Sequence, residues 1–494
     1  ESVTRIRSDG VHGLKESLRP VYHKGLQGVS RFRDSGTPIY DRDWDLLIVV
    51  DACRLDLMRE VAPDYDYIDH VGAFRSLDSM TLRWMQKNFV PAYADEMAKT
   101  AYACGNPFWQ EALGAEFYQA GGWETPQWYE SNADLVDRYA DAIPDQEGWQ
   151  AVNRSPIEGA EHLHTREHVS MFDMTSFSSI VVEGTDAVDF LQRLCTNDVD
   201  VDAGQVRYSL LCNEGGQILA DVTVVRLGPE EFVVTTGGGN SPGIHGGRLE
   251  QHAPETVSVT VEEGARSTIG LWGPKSRLLL QRVTDADVSA EGFPYFSAKR
   301  IYVGDVPVLA LRVSYVGELG WELWAPTEYG SRLWETLWEA GQDLDVRPMG
   351  GGALESMRLE KGYRLWGTDI DSDADPFSAG LGFAVDMDTD FVGREALTEV
   401  QASGPDSRLT PLTLDDSTDV VLGGRPVLDG DEALGYVVAG DYGYSVGESI
   451  AYAYLPSEYA DAGTAVQVMC EGATYDATVR DEPLFDAGRS KIRR

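Results

Sequence analysis

Apolar and polar side chains alternate most clearly over residues 208–227, YSLLCNEGGQILADVTVVRL, where two alternating runs flank a polar Asn213-Glu214-Gly215-Gly216 turn. Period-two alternation on both sides of a glycine turn predicts a β-hairpin. One carboxylate, Asp221, interrupts the second run between Ile218-Leu219-Ala220 and Val222-Thr223-Val224-Val225. On a strand such an acid either faces solvent, its commoner fate, or stands at the mouth of a pocket, where partial burial would tune its proton affinity. Downstream the pattern predicts strands over 179–183, 231–236 and 306–313, and amphipathic helices over 185–194, 276–282, 333–340 and 352–361. The 185–194 helix takes Thr185 as its cap and turns Ala187, Phe190, Leu191 and Leu194 inward. Hairpins mixed with helices predict an α+β fold rather than a doubly wound sheet. After about residue 400, short strands separated by glycine, such as 433–438 and 464–470, predict a small β-barrel or sandwich.

The N-terminal quarter differs. A continuous apolar run over 44–54 ends in Asp51 and reads as a strand buried on both faces of a parallel sheet. Such sheets carry their ligand chemistry at the carboxyl ends of strands, which places Asp51 like a metal ligand. The expected organisation is an α/β fragment over 1–113, an aromatic and glycine-rich lead-in over 114–165, a long α+β body over 166–400, and the small β-domain over 401–494.

Composition narrows the classes. The 494 residues include 41 Lys+Arg against 81 Asp+Glu, a formal charge of −40. The excess acid is spread along the chain, and the short run 489–494 is the sole basic cluster, so a phosphate backbone would be repelled. Lysine is scarce and arginine carries most of the positive charge. This balance resembles proteins of salt-loving microbes, in which molar salt shortens the Debye length to about 3 Å and screens self-repulsion. Five widely spaced cysteines without a CxxC support neither a disulfide framework nor a zinc knuckle, which fits a reduced cytoplasm. No run has the length of a membrane span, and no secretory leader is expected.

Several motifs occur in one order: 172–177 (FDMTSF), 184–187 (GTDA), 194–198 (LCTND), the hairpin, 315–322 (YVGELGWE) and 358–363 (RLEKGY). Together with 435–451 and 454–459 they resemble the aminomethyltransferase family, the T protein of glycine cleavage, from about residue 114 onward. The lead-in Gly122-Trp123-Glu124, the 354–363 helix and 441–445 (DYGYS) are similar to the folate-binding half of dimethylglycine and sarcosine dehydrogenases. The resemblance implies tetrahydrofolate as cofactor, Asp221 as the catalytic carboxylate, and Tyr208, Tyr315, Glu322 and Tyr363 as folate-binding residues. It further implies one-carbon transfer from a small-molecule amine, with a flavin oxidoreductase as partner. A flavin domain within the chain is not expected, because 50–54 (VDACR) lacks the glycines a dinucleotide pyrophosphate needs. Three positions depart from the glycine-cleavage form: Ala220 where a first acid stands, Thr235-Thr236-Gly237 where an asparagine follows the strand, and Leu354 where an arginine precedes the helix.

Residues 44–54 resemble the opening of alkaline-phosphatase/sulfatase-type hydrolases, although the remaining metal ligands of that family have no counterpart. Two other readings therefore stand beside the transferase: a non-catalytic folate-binding or regulatory module, and a metal-dependent sulfo- or phosphohydrolase acting through Asp51. Other clusters read as structural. The run 369–375 (DIDSDAD) lacks the glycine and final acid of a calcium loop and reads as a solvated acidic turn. Gly350-Gly351-Gly352 reads as a flexible turn, as does Gly237-Gly238-Gly239. His162, His164 and His168 show no third ligand, and no metal site is expected.

Overall fold

A computed structural model describes residues 107–120, 123–145, 155–237, 241–262, 264–415, 418–470 and 472–494. The strand over 44–54 and Asp51 lie outside the described residues, and the hydrolase-like fragment gains no support. The body is built on two antiparallel-rich sheets. The larger has the order β10-β11-β12-β9-β3-β13, from β3 (Val169–Asp173), β9 (Arg266–Trp272), β10 (Ala298–Val303), β11 (Val306–Leu311), β12 (Gly320–Pro326) and β13 (Val346–Met349). Only β13 runs parallel to its neighbour, β3. The smaller has the order β5-β6-β7-β4-β8, from β4 (Ser178–Gly184), β5 (Val206–Cys212), β6 (Ile218–Arg226), β7 (Glu231–Thr236) and β8 (Val257–Glu262).

The hairpin read from alternation is β5–β6, with Tyr208 opposite Thr223 and Leu210 opposite Asp221. Its turn closes with Gly216 at φ +82, a left-handed conformation that glycine adopts without strain. Alternation sorts β6 cleanly between two surroundings. Ala220, Val222 and Val224 join Ile180, Val182, Phe232 and Val234 in one buried cluster with Phe190 and Leu191 of a helix, Ala187–Leu194. The opposite face of this sheet meets the larger sheet: Val206, Val225 and Val233 pack with Ala298, Leu309, Leu311 and Trp324. Burying such a layer of aliphatic side chains contributes roughly 1.5–3 kcal/mol for each large residue. The expected Thr185 cap is absent. The helix begins two residues later, and Asp186 at its start makes no cap bond but accepts from Thr256 Oγ1 at 2.5 Å.

Outside the larger sheet lie helices Pro156–Glu167, Ser276–Val283, Gly330–Gly341 and Gly351–Lys361. The lead-in is ordered as a hairpin, β1 (Ala115–Ala120) with β2 (Trp123–Tyr129). Trp109 and Leu113, which precede it, already pack against the larger sheet's core. Gly350-Gly351-Gly352 proves to be a close-packed junction, not a flexible turn. Side chains there would strike the Gln127 carbonyl, the Tyr118 ring and the Glu158 carboxylate. Gly350 also gives its N–H to the buried Glu161 carboxylate at 2.8 Å.

The small β-domain is a closed six-stranded barrel. Its order β14-β17-β16-β15-β18-β19 uses β14 (Ser407–Leu414), β15 (Pro426–Asp429), β16 (Glu432–Gly443), β17 (Glu448–Pro456), β18 (Ala465–Cys470) and β19 (Ala473–Val479). Pairing of β14 with β19 closes it and removes free edges. The barrel packs through Leu409, Ala439, Ile450 and Tyr452 on Leu359 of helix Gly351–Lys361. The fold is thus α+β with an appended barrel, as its pattern predicts. No described helix is long and apolar enough to cross a membrane.

Candidate active site between the sheets

Asp221 shares the inter-sheet face of β6 with Thr223, and Tyr208 of β5 stands diagonally across from it. The Tyr208 hydroxyl donates to Asp221 Oδ2 at 3.2 Å. Burial raises the Asp221 pKa to about 6, with the Tyr208 hydrogen bond opposing part of that rise. Tyr208 is itself pushed well up, by burial, then by Asp221 and Tyr315. Tyr315, in the connection after β11, donates to the Arg364 carbonyl at 2.6 Å and stacks on Tyr363 with centroids 5.9 Å apart. Tyr208, Asp221, Tyr315 and Tyr363 are therefore one neighbourhood, and each is only half-buried. Core aromatics would be covered completely; these rings and this acid line a recess.

Glu322 enters from the opposite sheet. It lies on β12 between Leu311 and Gly270, so it shares the face of β12 that meets the smaller sheet. Trp324 Nε1 donates to its Oε2 at 3.1 Å, and Oε1 has no partner among the described residues. Burial raises its pKa to about 7, opposed by the Trp324 bond. At Gly270 beside it, any side chain would collide with the Trp272 ring. Glu322 makes no direct contact with Asp221 or the tyrosines; what they share is the space between the sheets. Arg266 Nε ties those sheets together by donating to Ser179 Oγ at 3.1 Å.

Four further groups border the site that alternation did not single out. Phe383, 67% exposed, stacks over Tyr208 with centroids 6.0 Å apart. Tyr295 lies beside Tyr363, and burial with that neighbour pushes its phenol up. Trp324 sits two residues beyond Glu322, where the strand period alone could have placed it. Thr235, on the inter-sheet face of β7, buries an Oγ1 that has no partner among the described residues. An orphaned hydroxyl, an unpaired carboxylate oxygen and half-covered rings are what a planar, polar, ring-shaped ligand would complete.

Residues 108–389 match the GCVT N-terminal domain, and residues 408–486 match the glycine cleavage T-protein C-terminal barrel domain. The chain belongs to the glycine cleavage T-protein family. Rat mitochondrial dimethylglycine dehydrogenase is 33% identical over 375 residues, which is 74% of this chain and 42% of that enzyme. An aminomethyltransferase of Symbiobacterium thermophilum is 31% identical over 381 residues, covering 76% of this chain and 94% of that one. The crystal structure of aminomethyltransferase T from Bartonella henselae superposes with a TM-score of 0.66 at 27% identity, over 77% of this chain and 97% of that one. The chain thus spans nearly all of the T-protein relatives and less than half of the rat dehydrogenase.

Within this family the departure at Ala220 acquires a physical meaning. Ala220 is 2% exposed and faces the helix-side cluster, so an acid there would not share the recess with Asp221. Two expectations need correction. Asp369 is not solvated: it is 2% exposed and paired with the buried Arg358 guanidinium. A third candidate ligand does approach the histidines, because Asp345 lies with His164 and His168 so that one ligand atom of each falls within 4.8 Å. The two rings are nonetheless stacked 10° from parallel, and an ion bound in the plane of one imidazole cannot lie in the plane of the other. Lys275 also sits 2.7 Å from His168 Nδ1, and Arg138 and Arg347 already hold the Asp345 carboxylate. These cations make the cluster a poor cation site.

Proposed function

We propose that the chain is a tetrahydrofolate-dependent one-carbon transferase, acting on an aminomethyl or methylene unit derived from a methylated amine. The Asp221–Tyr208 pair carries this reading: a half-buried carboxylate raised by burial to about 6 and bonded by one phenol, in a recess lined by further tyrosines. Glu322 would hold the aminopyrimidine edge, since its free Oε1 beside the Trp324-bonded Oε2 offers two acceptors to a planar pair of donors. Tyr208, Tyr315 and Tyr363 would supply stacking area, and Thr235 Oγ1 a hydrogen bond.

When bound, tetrahydrofolate supplies the nitrogen that accepts the one-carbon unit. Asp221 orients the reacting nitrogen and takes or returns its proton at Oδ2, and its negative charge stabilises a cation developing beside it. The Tyr208 bond keeps that oxygen aimed into the recess. Positioning carries much of the rate, because an iminium-type carbon is already electrophilic. The similarity to dimethylglycine dehydrogenase, together with Ala220 and Thr235, supports a methylated-amine donor and an amine-oxidising flavoprotein as its source.

Methylene transfer to tetrahydrofolate, assayed in molar KCl with the wild-type chain and Asp221→Asn, tests this directly. The expected outcome is turnover in the wild type and a loss of about 100-fold or more in the variant, with folate affinity nearly unchanged. Folate binding without turnover in the wild type would instead make the chain a binding module.

A further inference from the structure

Arg312 is an anomaly in this acidic protein. It is 1% exposed at the end of β11, yet no Asp or Glu side chain among the described residues pairs with it. Nη1 donates to Ile492 O at 3.2 Å and Nη2 to the main-chain oxygen of Arg494 at 2.8 Å, while Nε has no partner among the described residues. Arg277 donates to the same Arg494 oxygen, so two like charges meet there. A buried guanidinium is tolerated only where acceptors satisfy it, so Arg312 and these main-chain oxygens hold each other in place. They belong to the segment 482–494, whose Ile492 is 1% exposed.

The opposite end of that segment grips the turn that presents Tyr363. Lys361 Nζ donates to the Phe485 and Asp486 carbonyls at 2.8 and 3.0 Å. Phe485 N–H donates to Glu360 O at 3.0 Å, and the Phe485 ring lies 4.1 Å from the Arg166 guanidinium and 4.7 Å from Lys491 Nζ. Glu482 pairs with Arg364 at 2.9 Å. Between Lys361 and Tyr363, Gly362 adopts φ +70, and a side chain there would strike the Glu482 carboxylate. Lys361 and Arg364 are thus bonded to the segment, Gly362 lies against it, and Arg489 and Asp486 of the segment act electrostatically on Tyr363. Tyr363 stacks on Tyr315, and the Tyr315 hydroxyl is fixed by the Arg364 carbonyl.

We infer that residues 482–494 are a strap that positions Tyr315 and Tyr363, that Arg312 is its far anchor, and that folate affinity depends on the strap being docked. The last clause rests on the folate reading above. Arg312, Glu482 and Phe485 are positioning residues: they act through the 361–364 turn on the two rings.

The test uses the full chain in molar KCl, labelled with 3-fluorotyrosine, with the Tyr315 and Tyr363 resonances assigned from Phe variants. Arg312→Met removes the anchor. Ile492→Asp disturbs the strap and leaves the body's residues intact, which guards against Arg312→Met failing to fold. In either variant the strap should become more rapidly cleaved by protease, both fluorine resonances should move, and the tetrahydrofolate Kd should rise at least tenfold. Arg312→Lys, which keeps the charge, should recover part of the affinity. Rapid cleavage with unmoved resonances and an unchanged Kd would overturn the inference, as would a strap that stays protected in both variants. If the wild type binds no tetrahydrofolate, the folate reading fails and the fluorine signals alone decide whether the strap positions the tyrosines.

Discussion

Two sets of acids, half-buried ones in the inter-sheet recess and an enclosed one in the seam between helices Pro156–Glu167 and Gly351–Lys361, sit in opposite electrostatic situations. In the recess, Asp221 and Glu322 each have a single neutral side-chain donor, and burial raises their pKa values to about 6 and about 7. In the seam, Glu360 is 0% exposed, and burial alone would raise it too. Its Oε2 instead meets Arg166 Nη2 at 2.8 Å and His162 Nε2 at 3.4 Å, and its Oε1 accepts from Ser445 N–H at 2.7 Å. These partners outweigh burial and hold it at about 2. Burial lowers the His162 pKa in turn, and the Glu360 carboxylate opposes that shift. Charged partners hold the seam's acid low, and their lack leaves the two acids between the sheets high.

Breaking the seam should give the largest effect. Glu360→Gln leaves Arg166 enclosed with only a distant share of Glu318, 3.3 Å from its Nη1, and should cost about 3–5 kcal/mol of stability by denaturant unfolding. The wild-type contribution of Glu360, a depressed group, is present above about pH 4.5 and is lost as pH falls through about 2. A Glu360→Gln curve that overlays the wild type would break the comparison.

The recess should behave in the reverse sense. Asp221→Asn lowers turnover, yet it should not destabilise the chain. Asp221 is raised above its unfolded value, so its favourable contribution is complete below about pH 4 and is lost as pH rises through about 6. At pH 8 the asparagine variant should therefore be more stable than wild type by about 1–3 kcal/mol, and the difference should vanish near pH 4. Equal melting at both pH values would mean that the acid is not held in an unfavourable state. Wild-type turnover should fall as the pH drops below about 6, where the carboxylate takes up a proton.

Salt should separate the regions more gently. With a formal charge of −40, the melting temperature should climb between 0.1 and 2 M KCl as surface repulsion is screened. The loss caused by Glu360→Gln should change little over that range, because enclosed pairs are screened much less than surface charges. A strong salt dependence of that loss would place the seam in solvent contact.

Much of this was legible in the sequence where the physics is local. Period-two alternation fixed the hairpin and set Asp221 and Ala220 on opposite faces, and glycine-spaced short strands announced the barrel. The order of the motifs pointed to the family and to Asp221, Tyr208, Tyr315, Glu322 and Tyr363. What stayed hidden depends on partners distant in the chain. Asp369 looked solvated in its acidic run because nothing local says that Arg358 would turn toward it. The three glycines at 350–352 looked flexible because the groups they accommodate, at Gln127, Tyr118 and Glu158, lie some 200 residues earlier. Arg166 and Glu360 are 194 positions apart, and neither carries a local sign of the other.

If the half-buried acids and tyrosines between the sheets form the proposed folate site, a calorimetric titration of tetrahydrofolate into the full chain in molar KCl will show it. The expected result is saturable binding at one site per chain, weakened about tenfold or more in Glu322→Gln, which removes the charge facing the aminopyrimidine edge. Absence of binding in the wild type, or an affinity indifferent to Glu322→Gln, would contradict it.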